Sequence, residues 1–207
     1  MKRASVIAFV LAFMLIATSA SAVDMMLGLK GGVNIAGVYG DDTNEGKETR
    51  LGFIGGASLD FKVHEMFSVQ PELLFANRGW KRSDGDDEAV WKLDYLEIPV
   101  LIKFHIPANE VADPYIYLGP AVGINLTGTF EVTEDGETDS RDIKDNMASA
   151  DFSIVGGAGV DIMVGEKGAV IIDVRVDTSL TTIDGTDDPD DIKSYTIAAM
   201  LGYGFKF

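Results

Sequence analysis

The sequence predicts an all-β chain, an eight-stranded antiparallel up-and-down transmembrane β-barrel. Three observations carry that expectation. Apolar residues alternate with small or polar ones in eight separate stretches, the period-two mark of strands with two unlike faces. The connections between these stretches are alternately long and short. The polar face holds Gly, Ala, Ser and a few charges of both signs, which suits a narrow interior better than a water-washed surface.

The first strand spans about Leu27 to Tyr39, with Leu29, Val33 and Ile35 opposite Lys30 and Asn34. In the second, Phe53, Gly55, Ala57, Leu59, Phe61 and Val63 alternate with Gly52, Gly56, Ser58, Asp60 and Lys62. In the third, Val69, Pro71, Leu73 and Phe75 alternate with Ser68, Gln70, Glu72 and Ala76. The fourth sets Ile98, Val100, Ile102 and Phe104 against Glu97, Pro99, Lys103 and His105. The fifth sets Ile116, Leu118, Val122, Ile124 and Leu126 against Tyr115, Gly119, Asn125 and Thr127. Phe152, Ile154, Ala158, Val160 and Ile162 then oppose Ser153, Gly157, Gly159 and Asp161. Val170, Ile172, Val174 and Val176 oppose Asp173, Arg175 and Asp177. In the eighth, Tyr195, Ile197, Ala199, Leu201, Tyr203, Phe205 and Phe207 share one face, because alternate side chains of a strand point opposite ways.

Long connections are expected at Gly40 to Arg50, Lys81 to Val90, Glu131 to Ser149 and Thr181 to Lys193. Short ones are expected at His64-Glu65-Met66, Pro107 to Asp113 and Gly165-Glu166-Lys167-Gly168. Antiparallel neighbours place every second connection on the same rim. Short periplasmic turns and long external loops are the outer-membrane barrel pattern. Closure is required too, since lipid offers no hydrogen bonds to an open strand edge. The apolar face is then expected to meet hydrocarbon. Lys30, Asp60, Lys62, Glu72, Glu97, Lys103, Asp161, Asp173, Arg175 and Asp177 are expected in the lumen, paired in an interior ion network without a wide pore. Tyr195 is expected near the loop-side interface and Tyr203, Phe205 and Phe207 near the periplasmic one. Trp80 and Trp91 flank the second long loop and are expected as interfacial anchors.

The length, 207 residues, suits one domain. Met1-Lys2-Arg3, the uncharged run Ala4 to Ala17 and Ala20-Ser21-Ala22 form the three parts of a signal peptide over 1–22. The run is short for a membrane span of about 20 residues. Cleavage after Ala22 leaves a barrel domain, 23–207. Losing Lys2 and Arg3 takes the basic residues from 17 to 15 against 33 acids, so the mature charge is -18. That balance excludes a compact nucleic-acid binder, which needs clustered Lys and Arg. With no cysteine, disulfides and thiolate zinc sites are excluded as well.

Chemistry-bearing patterns are sparse. His64 and His105 are the two histidines, both on the short-turn side, and are expected to be structural or solvated. The acidic segments 84–88, 134–137 and 184–191 match no complete calcium loop and are expected as solvated, self-repelling surface. Loose divalent bridging to lipopolysaccharide phosphates is the alternative for them. Gly156-Gly157-Ala158-Gly159 lies within a strand pattern with no helix after it, so it is not a phosphate loop. No residue is assigned a catalytic, cofactor-binding or metal role.

Several segments resemble the small outer-membrane β-barrel proteins of bacteria with two membranes, the porin family or outer membrane protein β-barrel domain. They are Leu27-Gly28-Leu29-Lys30-Gly31-Gly32-Val33-Asn34, Tyr95-Leu96-Glu97-Ile98-Pro99-Val100-Leu101-Ile102-Lys103, Pro114-Tyr115-Ile116-Tyr117-Leu118-Gly119-Pro120 and the ending Leu201-Gly202-Tyr203-Gly204-Phe205-Lys206-Phe207. The resemblance implies residence in the outer membrane among its lipids and lipopolysaccharide. It also implies insertion by the barrel-assembly machinery, which reads a last strand ending in an aromatic, here Phe207. The expected role is structural or surface interaction through long acidic loops, with a filled lumen and at most narrow conductance. The alternatives are a small-solute porin, a lipid-modifying enzyme and, outside membranes, a lipocalin-like barrel.

Overall fold

The structure, a computed structural model, describes residues 24–40, 46–85, 87–109, 111–134, 136–186 and 191–207. The expected leader, 1–22, lies outside these residues, as do parts of the acidic connections. Nine strands form: β1 (Asp24–Gly40), β2 (Lys47–His64), β3 (Phe67–Asp84), β4 (Asp87–His105), β5 (Ala112–Glu134), β6 (Glu137–Asp142), β7 (Ala150–Val164), β8 (Gly168–Ser179) and β9 (Ile192–Lys206).

Eight of them close a ring in the order β1, β2, β3, β4, β5, β7, β8, β9, with every neighbouring pair antiparallel. The seam is β1 against β9, in register from Met26↔Lys206 to Gly40↔Ile192. Closure pairs the backbone groups that an open edge would leave bare. The ninth strand, β6, stands outside the ring and pairs only with the end of β5 among the described residues.

Burial follows the expected parity. Leu29, Phe53, Leu73, Leu118, Val174, Leu201 and Phe205 are exposed, whereas Lys30, Asp60, Glu72, Glu97, Arg175 and Thr196 are buried. Grease therefore faces outward and the polar residues fill the middle. Aromatic residues gather at both ends. Tyr39 and Tyr195 lie together on the long-loop side, 6.5 Å between centroids. Phe67–Phe104 and Tyr203–Phe205 pairs mark the short-turn side, at 5.2 and 4.7 Å. The glycines of β7 make room inside: a Cβ at Gly157 or Gly159 would collide with the Tyr117 or Tyr115 hydroxyl.

Several expectations are corrected. The connection Lys81 to Val90 is not a long loop, because β3 and β4 continue to Asp84 and Asp87 and meet in a tight hairpin. The stretch Glu131 to Ser149 is likewise partly strand, folded as the β5–β6 hairpin and a short 3-10 turn, Lys144–Asn146. Both segments lie beyond the apolar zone, so neither face needs grease and the period-two signal fades although pairing continues. Thr127, expected inside, is exposed and donates to the Asp94 carboxylate at 2.6 Å. A register shift opposite Asp94 and Tyr95 skips Leu126 and reverses the parity of β5 from Thr127 onward. Trp80 is no interfacial anchor: it is buried in the long-loop mouth, stacked on a partly buried Trp91 with centroids 5.2 Å apart.

Candidate functional site

The lumen holds the densest chemistry of the molecule. Among the described residues, the buried charges are four cations, Lys30, Arg78, Lys103 and Arg175, and seven carboxylates. They form three layers along the barrel. Charge in so confined a space persists only when paired and hydrogen-bonded.

The layer nearest the short turns centres on Lys103. Its ammonium donates to Asp60 at 2.7 Å and to Gln70 Oε1 at 3.1 Å, lies 3.4 Å from Asp161, and sits 3.8 Å from the Tyr115 ring centroid. The middle layer is built around Glu72, which accepts from Lys30 at 2.6 Å, from Arg175 at 2.7 and 3.3 Å, and from Gln70 at 2.6 Å. Asp173 completes it, accepting from Arg175 Nε at 3.1 Å and from the Tyr117 hydroxyl at 2.8 Å. The third layer gathers Glu97, Asp151 and Asp177 on Arg78, at 2.7, 3.4 and 3.1 Å. Ser179, Ser153 and Thr181 donate to its carboxylates.

Nine of the ten charges expected inside are buried in these layers; Lys62 stands at the short-turn lip, 3.8 Å from Asp113. Arg78 and Asp151 belong to the network without having been expected there. Arg78 lies two residues past the last alternating residue of its strand, and Asp151 one residue before Phe152. Extending either alternation by one step of two would have reached them.

Both histidines are at the short-turn end. His64 Nδ1 accepts from the Met66 N–H at 3.2 Å in a hairpin turn. His105 is buried, with Nε2 2.9 Å from Ser68 Oγ and Nδ1 3.0 Å from both Asp113 oxygens. Those spacings are the ones a Ser–His–Asp relay requires. The Ser68 hydroxyl, however, is wholly buried and lies 3.1 Å from Asp60 Oδ2 as a donor, so an acyl carbonyl has no approach to it. The set clamps β3, β4 and β5 together at this rim. Below it a cavity of about 360 Å³ opens, walled by Asp60, Lys62, His105, Asp113, Asp161 and Lys206, among others. Among the described residues, no three His, Asp or Glu side chains are placed to hold a metal ion.

On the outer surface, apolar residues give way to polar ones at Asn77, Asp94 and Thr127. Asn77 and Thr127 donate to the two oxygens of Asp94, at 2.5 and 2.6 Å. Beyond them the pairs are ionic: Lys81–Glu48 at 3.3 Å and Lys92–Glu131. The ends of β3, β4 and β5, with β6, therefore stand clear of the hydrocarbon zone.

A closed antiparallel ring, apolar outside and ionic within, defines a transmembrane β-barrel of the bacterial outer membrane. The chain belongs to the outer membrane protein beta-barrel domain family, which matches residues 22–185. No curated protein sequence matches it. Among solved structures it is similar to Neisserial surface protein A, with 12% identity, 87% of this chain and 97% of that one covered, and a TM-score of 0.51. It is also similar to the E. coli outer membrane protein W, with 12% identity, coverages of 91% and 100%, and a TM-score of 0.50. The attachment invasion locus protein Ail of Yersinia pestis matches at 18% identity, with coverages of 90% and 100% and a TM-score of 0.42.

Proposed function

We propose that this barrel is a surface-interaction protein whose lumen is filled and whose long-loop end faces outward. The supporting observation is the sheet that β3, β4, β5 and β6 raise beyond the polar belt. Its last strand, Glu137-Thr138-Asp139-Ser140-Arg141-Asp142, is exposed at every residue and paired on one side only among the described residues. An exposed edge strand offers unpaired N–H and C=O groups to an added strand. Three acids against one arginine favour a basic partner segment.

The test uses the protein in nanodiscs with an extended, Lys-rich peptide library. Binding is expected to protect the β6 amides from exchange, and Ser140→Pro, which removes one edge donor, is expected to weaken it about tenfold. Absence of binding, together with a large open-channel conductance in planar bilayers, would instead favour a small-solute porin. The three ionic layers support at most a narrow conductance.

The chain end supports the assembly reading. Phe207 is exposed, and its N–H donates to the Met25 carbonyl at 3.1 Å across the seam. Its deletion is expected to lower the amount of heat-modifiable, folded protein in cells while leaving refolding in detergent intact. Unchanged cellular assembly would remove Phe207 as the signal.

A further inference from the structure

The long-loop mouth is closed by apolar residues, and one of them is not part of the wall. Trp80, Leu93 and Tyr95 project inward from β3 and β4, and Ile183, from the arm between β8 and β9, is set among them with 1% of its surface exposed. Val38, Trp91, Met147 and Ile192 pack around this group. Arg78, from the ionic layer, stacks on the Tyr95 ring at 5.2 Å, so the apolar group lies directly over that layer.

Backbone bonds hold Ile183 in place, and Thr182 adds side-chain bonds to the Ile192 carbonyl and N–H at 3.1 and 3.3 Å. Ile183 N–H donates to the Ile192 carbonyl at 2.8 Å, and Ala148 N–H donates to the Ile183 carbonyl at 2.9 Å. Gly185 N–H reaches the Asn146 carbonyl at 3.0 Å, and Met147 pairs with Asp184 in an isolated antiparallel bridge. Two arms, one between β6 and β7 and the other between β8 and β9, thus meet over the mouth. An isoleucine this deeply buried at a loop position is anchored by burial of its side chain rather than by a strand ladder.

We propose that Ile183 is the stopper of a lid, formed where the arm Thr181–Thr186 meets Ile143–Ser149, which seals the ionic lumen from the long-loop side. Releasing the Met147–Asp184 bridge or withdrawing Ile183 opens the mouth down to Arg78. This goes beyond the surface-interaction reading and does not depend on β6 having a partner.

Trp80 supplies a direct reporter. Its indole N–H is buried without a hydrogen-bond partner among the described residues. Its exchange with solvent is therefore slowed by exclusion of water alone. The chain has two tryptophans, so the indole signals are resolvable in the full-length mature protein in nanodiscs.

Slow exchange of the Trp80 indole is expected for the wild type. Ile183→Asp is expected to speed it about tenfold or more, as loss of a fully buried aliphatic anchor implies. The chain has no cysteine, and an antiparallel bridge pair lies within disulfide reach. Met147→Cys with Asp184→Cys is therefore expected to slow exchange below the wild-type rate when oxidised and to restore it when reduced. Heat-modifiable migration checks that each variant is folded. Wild-type exchange at the rate of free tryptophan, or exchange unmoved by both Ile183→Asp and the oxidised pair, would overturn the proposal. The second arm remains decisive if Ile183→Asp does not fold.

Discussion

Arg78→Met is expected to cost the barrel about 3–5 kcal/mol of unfolding free energy, the usual consequence of removing one partner of a buried ion cluster. Arg78 is 2% exposed and, among the described residues, is the only cation on Glu97, Asp151 and Asp177 in its layer. Methionine fills most of the volume, so the loss reports electrostatics more than packing. Three carboxylates would be left in a confined space with the hydroxyls of Ser153, Ser179 and Thr181 as donors. Urea unfolding in liposomes, followed by heat-modifiable migration, measures the loss. Adding Glu97→Gln and Asp177→Asn to Arg78→Met is expected to recover part of it, because fewer charges are then stranded. A single variant as stable as the wild type would mean that the cluster is not closed around Arg78.

Glu72→Leu is expected to have a comparable effect through the opposite charge. Glu72 accepts four hydrogen bonds from three residues, and two of those residues, Lys30 and Arg175, are cations held inside the barrel. Without it, Asp173 alone faces both. A loss of about 3–5 kcal/mol is expected for Glu72→Leu. Glu72→Gln keeps the shape and part of the hydrogen bonding, so a loss of roughly 1.5–3 kcal/mol is expected. The double variant Glu72→Leu with Lys30→Met is expected to be more stable than Glu72→Leu alone, since one stranded cation is gone. Strictly additive losses in that cycle would show that Lys30 and Glu72 do not interact.

The sequence carried the ring far better than the loops, for a physical reason. Inside the hydrocarbon zone, lipid and lumen impose opposite demands on consecutive residues, and the alternation from Phe53 to Val63 or from Val170 to Asp177 records both. Beyond Asn77, Asp94 and Thr127 the outer solvent is water, and the contrast between faces collapses. For this reason Lys81 to Val90 reads as a loop although it is a paired hairpin, and β6, with no buried residue, leaves no signal at all. Trp80 misleads for the same reason, since an aromatic at a rim marks a girdle or a plug equally well and only the direction of its strand decides. The ion network was visible as charges at lumen parity, but the cation of its third layer, Arg78, was not, because the flanking Asn77 and Gly79 hide the rhythm that places it inside. The clamp of Ser68, His105 and Asp113 joins three strands at distances no single stretch encodes.

Barrel, ion layers and lid all depend on which face meets lipid. In nanodiscs containing spin-labelled phospholipid, the methyl signals of Leu118, Val174 and Leu201 are expected to be broadened strongly, while those of Leu74, Leu101 and Ile54, which point inward, are expected to persist. Broadening of the inward set with sparing of the outward one, or equal broadening of both, would contradict it.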